Sequence, residues 1–156
     1  FLGFFTKNTK KALTVFYSGR ESNNENEIGI EFNDGSLSKC SISSIIANNC
    51  NEKVFVLFIT DCTGSGSVFD ISSSNYSKSL NLISFAIEKP MIFDDAELQS
   101  SHGIFTYYFC KITNDCPNIT PKKLVDQMNP SLNRFSEIFI CEVTDEKLAD
   151  CPIFFN

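Results

Sequence analysis

The chain has 156 residues, the length of one ordinary domain, and with 42% hydrophobic and 21% charged residues its composition fits a soluble globular protein. A net charge of −6 argues against nucleic acid or an anionic membrane as the main partner. No apolar stretch has the length of a membrane-spanning helix. Because the chain begins with Phe1 rather than Met, we expect further residues upstream.

The first third of the sequence predicts two strands and a helix. Residues 12–17 are a short apolar run of strand-forming residues that ends at Ser18 and Gly19. Residues 28–32 alternate apolar and polar side chains, and the following 33–35, Asn-Asp-Gly, predict a turn. Residues 41–49 have isoleucines at helical spacing, which predicts a helix.

The remainder alternates strands with helices. Residues 53–60 and 80–87 are apolar runs, and the first is long and unbroken, as in a strand that is buried on both faces. Residues 101–113 predict a helix with apolar side chains four apart. Thr120 and Pro121 form a good helix start, as cap and first residue, and Pro130 is expected to close that helix. Residues 138–143 predict a last strand.

This order of elements predicts an α/β domain with a mainly parallel central sheet. We expect residues 12–17, 53–60 and 80–87 to form adjacent parallel strands. Ligands of such sheets bind at the carboxyl ends of the strands, so chemistry is expected in the loops after the first two runs. The last strand is apolar on both faces; at a sheet edge it would need another chain or the C-terminal segment to cover it.

The spacing of the cysteines and the single histidine does not match that of a metal site or a disulfide framework. There are seven cysteines and no Cys-x-x-Cys pair, so we expect neither a zinc site nor a disulfide scaffold, and no cofactor. A free cysteine inside an apolar run acts as a small hydrophobic residue. We therefore expect a reducing compartment, the cytoplasm. His102, the only histidine, precedes Gly103 at a helix start and is expected to be a capping or surface residue.

Several segments resemble caspase-like cysteine peptidases, and metacaspases in particular. VFYSGRES resembles the strand and loop that read Ser-Gly-His-Gly in that family, where the His is the catalytic base. VLFITDCTGSGSVFD resembles the Asp-x-Cys-x-Ser-Gly signature, where the Cys is the nucleophile. SSHGIFTYYFCKI and ITPKKLVDQMNPSL are similar to a helix pair in the small-subunit half. The resemblance covers residues 12–143 and implies one caspase-like domain over residues 1–156, a three-layer sandwich whose first strand and helix would lie before Phe1.

The chain departs from the family at both dyad positions. Ser18 and Gly19 match the first motif, but Arg20 takes the position of the His. In the second motif Asp61, Ser65 and Gly66 match, whereas Thr63 takes the position of the Cys and Cys62 is its neighbour. Arg remains protonated at physiological pH and cannot act as a base. A Thr hydroxyl without a base is a poor nucleophile.

The resemblance and its departures therefore imply a pseudoenzyme that acts as a scaffold, a regulatory protein or a structural component of a larger assembly, through protein partners. The Ser18, Gly19, Asp61, Ser65 and Gly66 positions would be the relic of a cleft, and the loops that carry Arg20 and Thr63 would meet within about 10 Å. The alternative is an active peptidase that uses Cys62 as its nucleophile, with the second motif shifted by one residue. Fold alone does not choose between these functions.

Overall fold

The structure is a computed structural model that describes residues 12–24, 27–50, 54–62, 69, 71, 76, 80–87, 92–95, 100–135 and 138–154. Within these residues the strands are β1 (Ala12–Gly19), β2 (Glu21–Asn24), β3 (Glu27–Phe32), β4 (Gly35–Ser38), β5 (Phe55–Cys62), β6 (Asn81–Ile87), β7 (Ile92–Asp95), β8 (Ser100–Gly103) and β9 (Phe139–Val143). The helices are α1 (Lys39–Asn49), α2 (Ile104–Asp115) and α3 (Pro121–Leu132), with 3₁₀ turns at Asn133–Phe135 and Glu146–Asp150.

The central sheet has four strands in the order β1-β5-β6-β9. β1, β5 and β6 run parallel to one another, and β9 pairs with β6 in the antiparallel direction. The predicted α/β class with a mainly parallel sheet is therefore confirmed, as is the prediction that the three apolar runs form adjacent parallel strands.

β5 is at the centre of the fold because both of its faces are apolar. All eight of its residues are buried, and successive side chains alternate between two hydrophobic cores. One core contains Val56, Phe58 and Cys62 and is covered by α1 through Ile42 and Ile46. The other core contains Phe55, Leu57 and Ile59 and is covered by α2 and α3. Helices thus lie on both faces of the sheet, in three layers.

A separate antiparallel sheet, β2-β3-β4, follows β1 in the chain. The turn predicted at residues 33–35 is confirmed, because Phe32 pairs with Gly35 across a two-residue connection. Gly35 has a φ of 149°, which favours glycine. The sequence did not predict β2 and β4, since Glu-Ser-Asn-Asn and Gly-Ser-Leu-Ser lack the β-branched and aromatic residues by which strands are recognised. The β7–β8 hairpin was missed as well.

The helices begin largely where the sequence predicted. The Ser38 hydroxyl accepts a hydrogen bond from the amide of Ser41 and caps α1, and Thr120 caps α3 with Pro121 as its first residue. Two predicted boundaries were wrong. Residues 101–103 belong to β8, so α2 starts only at Ile104. Pro130 does not close α3, which continues to Leu132, and the burial of Leu132 in the second core stabilises the last turn.

β9 forms an edge of the central sheet in the described structure. Its Phe139 is buried in the second core, while Ile138, just before the strand, is 54% exposed. The C-terminal segment packs on the same core through Ile153, whose amide donates to the carbonyl of Ile119. Among the described residues this segment does not pair with β9, so its covering of the strand edge stays a prediction.

Candidate functional site

The carboxyl ends of β1 and β5 lie side by side. In the parallel register Ser18 is opposite Asp61 and Gly19 is opposite Cys62, the last residues of the two strands. The chain therefore leaves β1 at Arg20, next to the point at which it leaves β5. The side chain of Arg20 is exposed. Thr63, Ser65 and Gly66 lie outside the described residues, so the expected closeness of Arg20 and Thr63 stays a prediction.

Cys62 is buried in the first core and points away from solvent. Burial, with smaller contributions from the negative charges of Glu21 and Asp61, raises the pKa of the Cys62 thiol to about 12. A cysteine nucleophile reacts as the thiolate, and catalytic cysteines have a lowered pKa. At neutral pH this thiol is protonated and inaccessible, and both properties oppose a nucleophilic role.

Asp61 points to the other face of β5, where its carboxylate caps the start of α2. It accepts hydrogen bonds from the amide of Thr106 at 3.3 Å and from the Thr106 hydroxyl at 2.5 Å. Thr106 is in the first turn of the helix, whose free amides and dipole favour a negative group. Through its Oδ2 atom the buried Asp61 carboxylate thus holds the start of α2 against the end of β5.

Gly103, rather than His102, is the N-cap residue of α2. Its backbone angles suit any residue, but a Cβ atom there would overlap the Asp61 carboxylate, with 2.9 Å to Cγ. Glycine is therefore required for space, so that the carboxylate can reach the helix. Sequence reasoning missed Thr106; the signal available for this contact was Gly103, immediately before an apolar helix.

The turn after β1 is held by the hydroxyl of Tyr17. This hydroxyl accepts from the amide of Arg20 at 3.1 Å, and it lies 2.8 Å from the Arg20 carbonyl and 2.7 Å from the Glu31 carbonyl, to either of which it can donate. Burial raises the pKa of Tyr17 above its ordinary value. A Cβ on Gly19 would lie 2.6 Å from the Tyr17 oxygen, so glycine leaves room for this contact.

An open groove of about 950 Å³ lies at this end of β1. Its lining brings together three predicted residues, Ser18, Gly19 and Arg20, and adds residues that the sequence did not single out: Phe16, Tyr17, Glu31, Phe32 and Asn33. Asp61 is not part of this lining, because it faces α2. The β3 residues could not be foreseen, since they are brought here by the pairing of β2 with β3.

The described residues contain no group of three His, Cys, Asp or Glu side chains arranged to bind a metal ion. His102 pairs through its backbone with Phe93 in the β7–β8 hairpin. No helix in the described part of the chain combines the length and apolar character needed to cross a membrane. No protein-family model matches the sequence, and no curated protein matches it either.

Proposed function

We propose that the chain is a catalytically inactive domain of the caspase and metacaspase type, which works by binding protein partners as a scaffold or regulatory subunit. The observation that carries the proposal is the state of Arg20, at the dyad position of the base, and of Cys62, the alternative nucleophile, at adjacent strand ends. Arg20 stands where the family has its base, and arginine cannot accept a proton at physiological pH. Cys62, the only cysteine at the end of β5, is buried with a raised pKa.

The polar residues around these positions support the same proposal, because they are used to hold structure. The Asp61 carboxylate caps α2, and the Tyr17 hydroxyl fixes the backbone of the Arg20 turn. A dyad needs a group that shuttles protons near neutral pH, next to an accessible nucleophile. The described ends of β1 and β5 contain neither a group that shuttles protons near neutral pH nor an accessible nucleophile.

The domain would then function through surfaces that bind other proteins, as one component of an assembly. None of the seven cysteines, all of which lie in the described part of the chain, forms a disulfide, and Cys40, Cys110 and Cys116 are exposed. Exposed free thiols persist in reducing compartments, so we propose a cytoplasmic location.

The test of inactivity uses purified protein and a panel of peptides with basic, acidic or Asn residues at the cleavage position. We expect no turnover above that of a Cys62→Ala variant. Turnover that disappears in Cys62→Ala would establish the alternative, an active peptidase that uses Cys62. A Thr63→Ala variant is tested in parallel, and its loss of turnover would assign a nucleophile to the other dyad position.

The partner-binding role has its own test. The tagged chain is purified from its source cells under native conditions, and proteins present in stoichiometric amount are identified by mass spectrometry. We expect at least one such partner, whereas a chain that is recovered alone at its monomer mass contradicts a scaffold role.

A further inference from the structure

A row of aromatic and cationic side chains lies on the outer side of α2 and on the 3₁₀ turn that follows α3. The Lys111 Nζ lies 6.0 Å from the centre of the Tyr107 ring, and the Tyr107 and Tyr108 rings meet edge to face at 5.1 Å and 84°. The guanidinium carbon of Arg134 lies 5.4 Å from the ring centres of both Tyr108 and Phe135. We call these five residues the Tyr-Arg cluster. Tyr and Arg are enriched among the residues that contribute most to binding at protein interfaces.

The Arg134 guanidinium is held in one orientation although its side chain is exposed. Its Nε donates to the Ser131 carbonyl at 3.0 Å, and its Nη2 donates to the Tyr108 hydroxyl at 2.5 Å. These bonds tie the end of α3 to α2 and use two of the five N–H groups of a guanidinium. The other N–H groups form no hydrogen bond or ion pair with a described residue. An arginine that is already fixed in this way loses little conformational freedom when it binds a carboxylate.

The distribution of charge along the chain favours an acidic ligand at this cluster. Residues 104–135, which contain α2, α3 and the 3₁₀ turn, have four Lys or Arg and two Asp or Glu, a net charge of +2. Because the whole chain has a net charge of −6, the rest of the chain carries −8. Salt screens charges that lie farther away than about 8 Å, so the local positive charge decides which ligand binds here.

The Tyr-Arg cluster lies away from the side of the domain on which residues before Phe1 are expected. An upstream strand that extended the sheet would lie beyond β1, and β1 is next to β5. Thr106 marks the β5 side of α2, because it binds Asp61. Tyr108 lies about 160° around the helix from Thr106 and faces the end of α3, which packs on β9 at the other edge of the described sheet. Such a strand would therefore not cover the cluster.

We propose that the Tyr-Arg cluster binds an acidic segment of a partner protein, with a carboxylate of the partner paired to the Arg134 guanidinium. The planar guanidinium presents N–H groups that match the two oxygens of a carboxylate. The Tyr107 and Tyr108 rings, which are partly exposed, pack against apolar atoms beside that carboxylate, and Lys111 adds a second positive charge. This inference names the surface and the partner chemistry of the protein-binding role, so it rests on the proposed function.

The test begins with short random peptides that are displayed on phage and selected on the purified chain. We expect the enriched peptides to carry Asp or Glu at one fixed position, next to apolar residues. Fluorescent synthetic copies are then measured by anisotropy. Arg134→Gln should weaken binding about tenfold, the scale of one charge-assisted contact, and so should replacing the peptide's acid by its amide. The two changes together should also cost about tenfold, because both remove the same contact.

Matched variants separate this site from general charge attraction. Arg134→Lys keeps the charge but loses the planar guanidinium, so it should weaken binding nearly as much as Arg134→Gln. Lys147→Gln removes an exposed cation outside the cluster and should change binding less than twofold. The amide form of the peptide leaves the protein unchanged, so its lower affinity cannot come from unfolding of a variant.

Several results would overturn the inference. They are enriched peptides without a fixed acidic residue, no enrichment at all, and equal binding by wild type and Arg134→Gln. Binding that appears only in Glu137→Gln would overturn it too, because a carboxylate of the chain itself would then occupy the site. Self-association that is lost in Arg134→Gln would favour a second copy as the occupant. Single-stranded RNA that binds more tightly than every selected peptide, and is lost in the same variant, would favour a nucleic acid.

The fate of this inference is separable from that of the proposed function. Partners that co-purify with the wild type and are lost with Arg134→Gln would support both. Partners recovered equally with the two chains would support the protein-binding role and remove the Tyr-Arg cluster as its surface. Peptidase turnover by the wild type would end the pseudoenzyme proposal, and peptide binding by Cys62→Ala would still measure whether Arg134 holds the acid.

Discussion

Replacing Gly103 by Ala should destabilise the fold through the Asp61 carboxylate rather than through the backbone. The N-cap angles of Gly103, −63° and 129°, are open to alanine. The new Cβ, however, overlaps the carboxylate and displaces it from Thr106. The two hydrogen bonds lost are charge-assisted, and such bonds contribute about 1.5–3 kcal/mol each, of which a displaced carboxylate regains part from water. We expect a net loss of about 3 kcal/mol.

Urea denaturation of wild type and variant measures this loss directly. For a chain of this size 3 kcal/mol corresponds to a fall in Tm of roughly 6–12 °C. The decisive control repeats Gly103→Ala in an Asp61→Ala background, where the space is free. There we expect a cost of about 0.5 kcal/mol, the ordinary difference between Gly and Ala at an N-cap. The cycle should therefore give a coupling energy of about 2–3 kcal/mol. Equal costs in the two backgrounds would refute the reasoning.

Three further predictions follow from the Cys62 thiol and from the hydroxyls of Tyr17 and Thr144. The pKa of the Cys62 thiol is raised in the folded state, from 9 to about 12, so the free energy of unfolding should fall as pH rises from about 9 to 12. In urea melts Cys62→Ala should flatten that fall with pH, and an unchanged dependence on pH would contradict the prediction. Tyr17→Phe should cost about 1–2 kcal/mol and speed hydrogen exchange at the Arg20 amide, and unchanged exchange there would contradict the assigned bond. Thr144→Val should cost a similar amount, because the Thr144 hydroxyl accepts from the amide of Leu82; thermal melts measure it, and an unaltered Tm would be inconsistent with that bond.

The central sheet was predictable because its signal is local. Three apolar runs with strand-forming residues became β1, β5 and β6, and strands that follow one another through crossover connections are usually neighbours in a parallel sheet. The end of α3 was not predictable from Pro130, since the burial of Leu132 is a tertiary contact that outweighs a local signal. The short strands β2 and β4 have polar sequences, and pairing with β3 rather than propensity forms them.

In the candidate site, too, residues recognised from local sequence were predictable, and residues placed by tertiary contacts were not. The sequence could place Ser18, Gly19 and Arg20 at a strand end, because the strand that precedes them is evident. The sequence could not reveal that the Asp61 carboxylate caps α2, since Thr106 is 45 residues away along the chain. Nor could it bring Phe32 to the groove, because that contact depends on how the β2-β3-β4 sheet folds back on β1.

The most direct test of the proposal that the dyad is inactive is the site-resolved rate of alkylation of the native protein by an irreversible thiol-reactive peptide probe. Mass spectrometry reads this rate at each of the seven cysteines. The exposed Cys40, Cys110 and Cys116 should react first, and the buried Cys62, with its raised pKa, should be among the slowest until the protein is unfolded. Labelling of Cys62 ahead of the exposed thiols in the native protein would contradict the pseudoenzyme proposal and identify Cys62 as a working nucleophile.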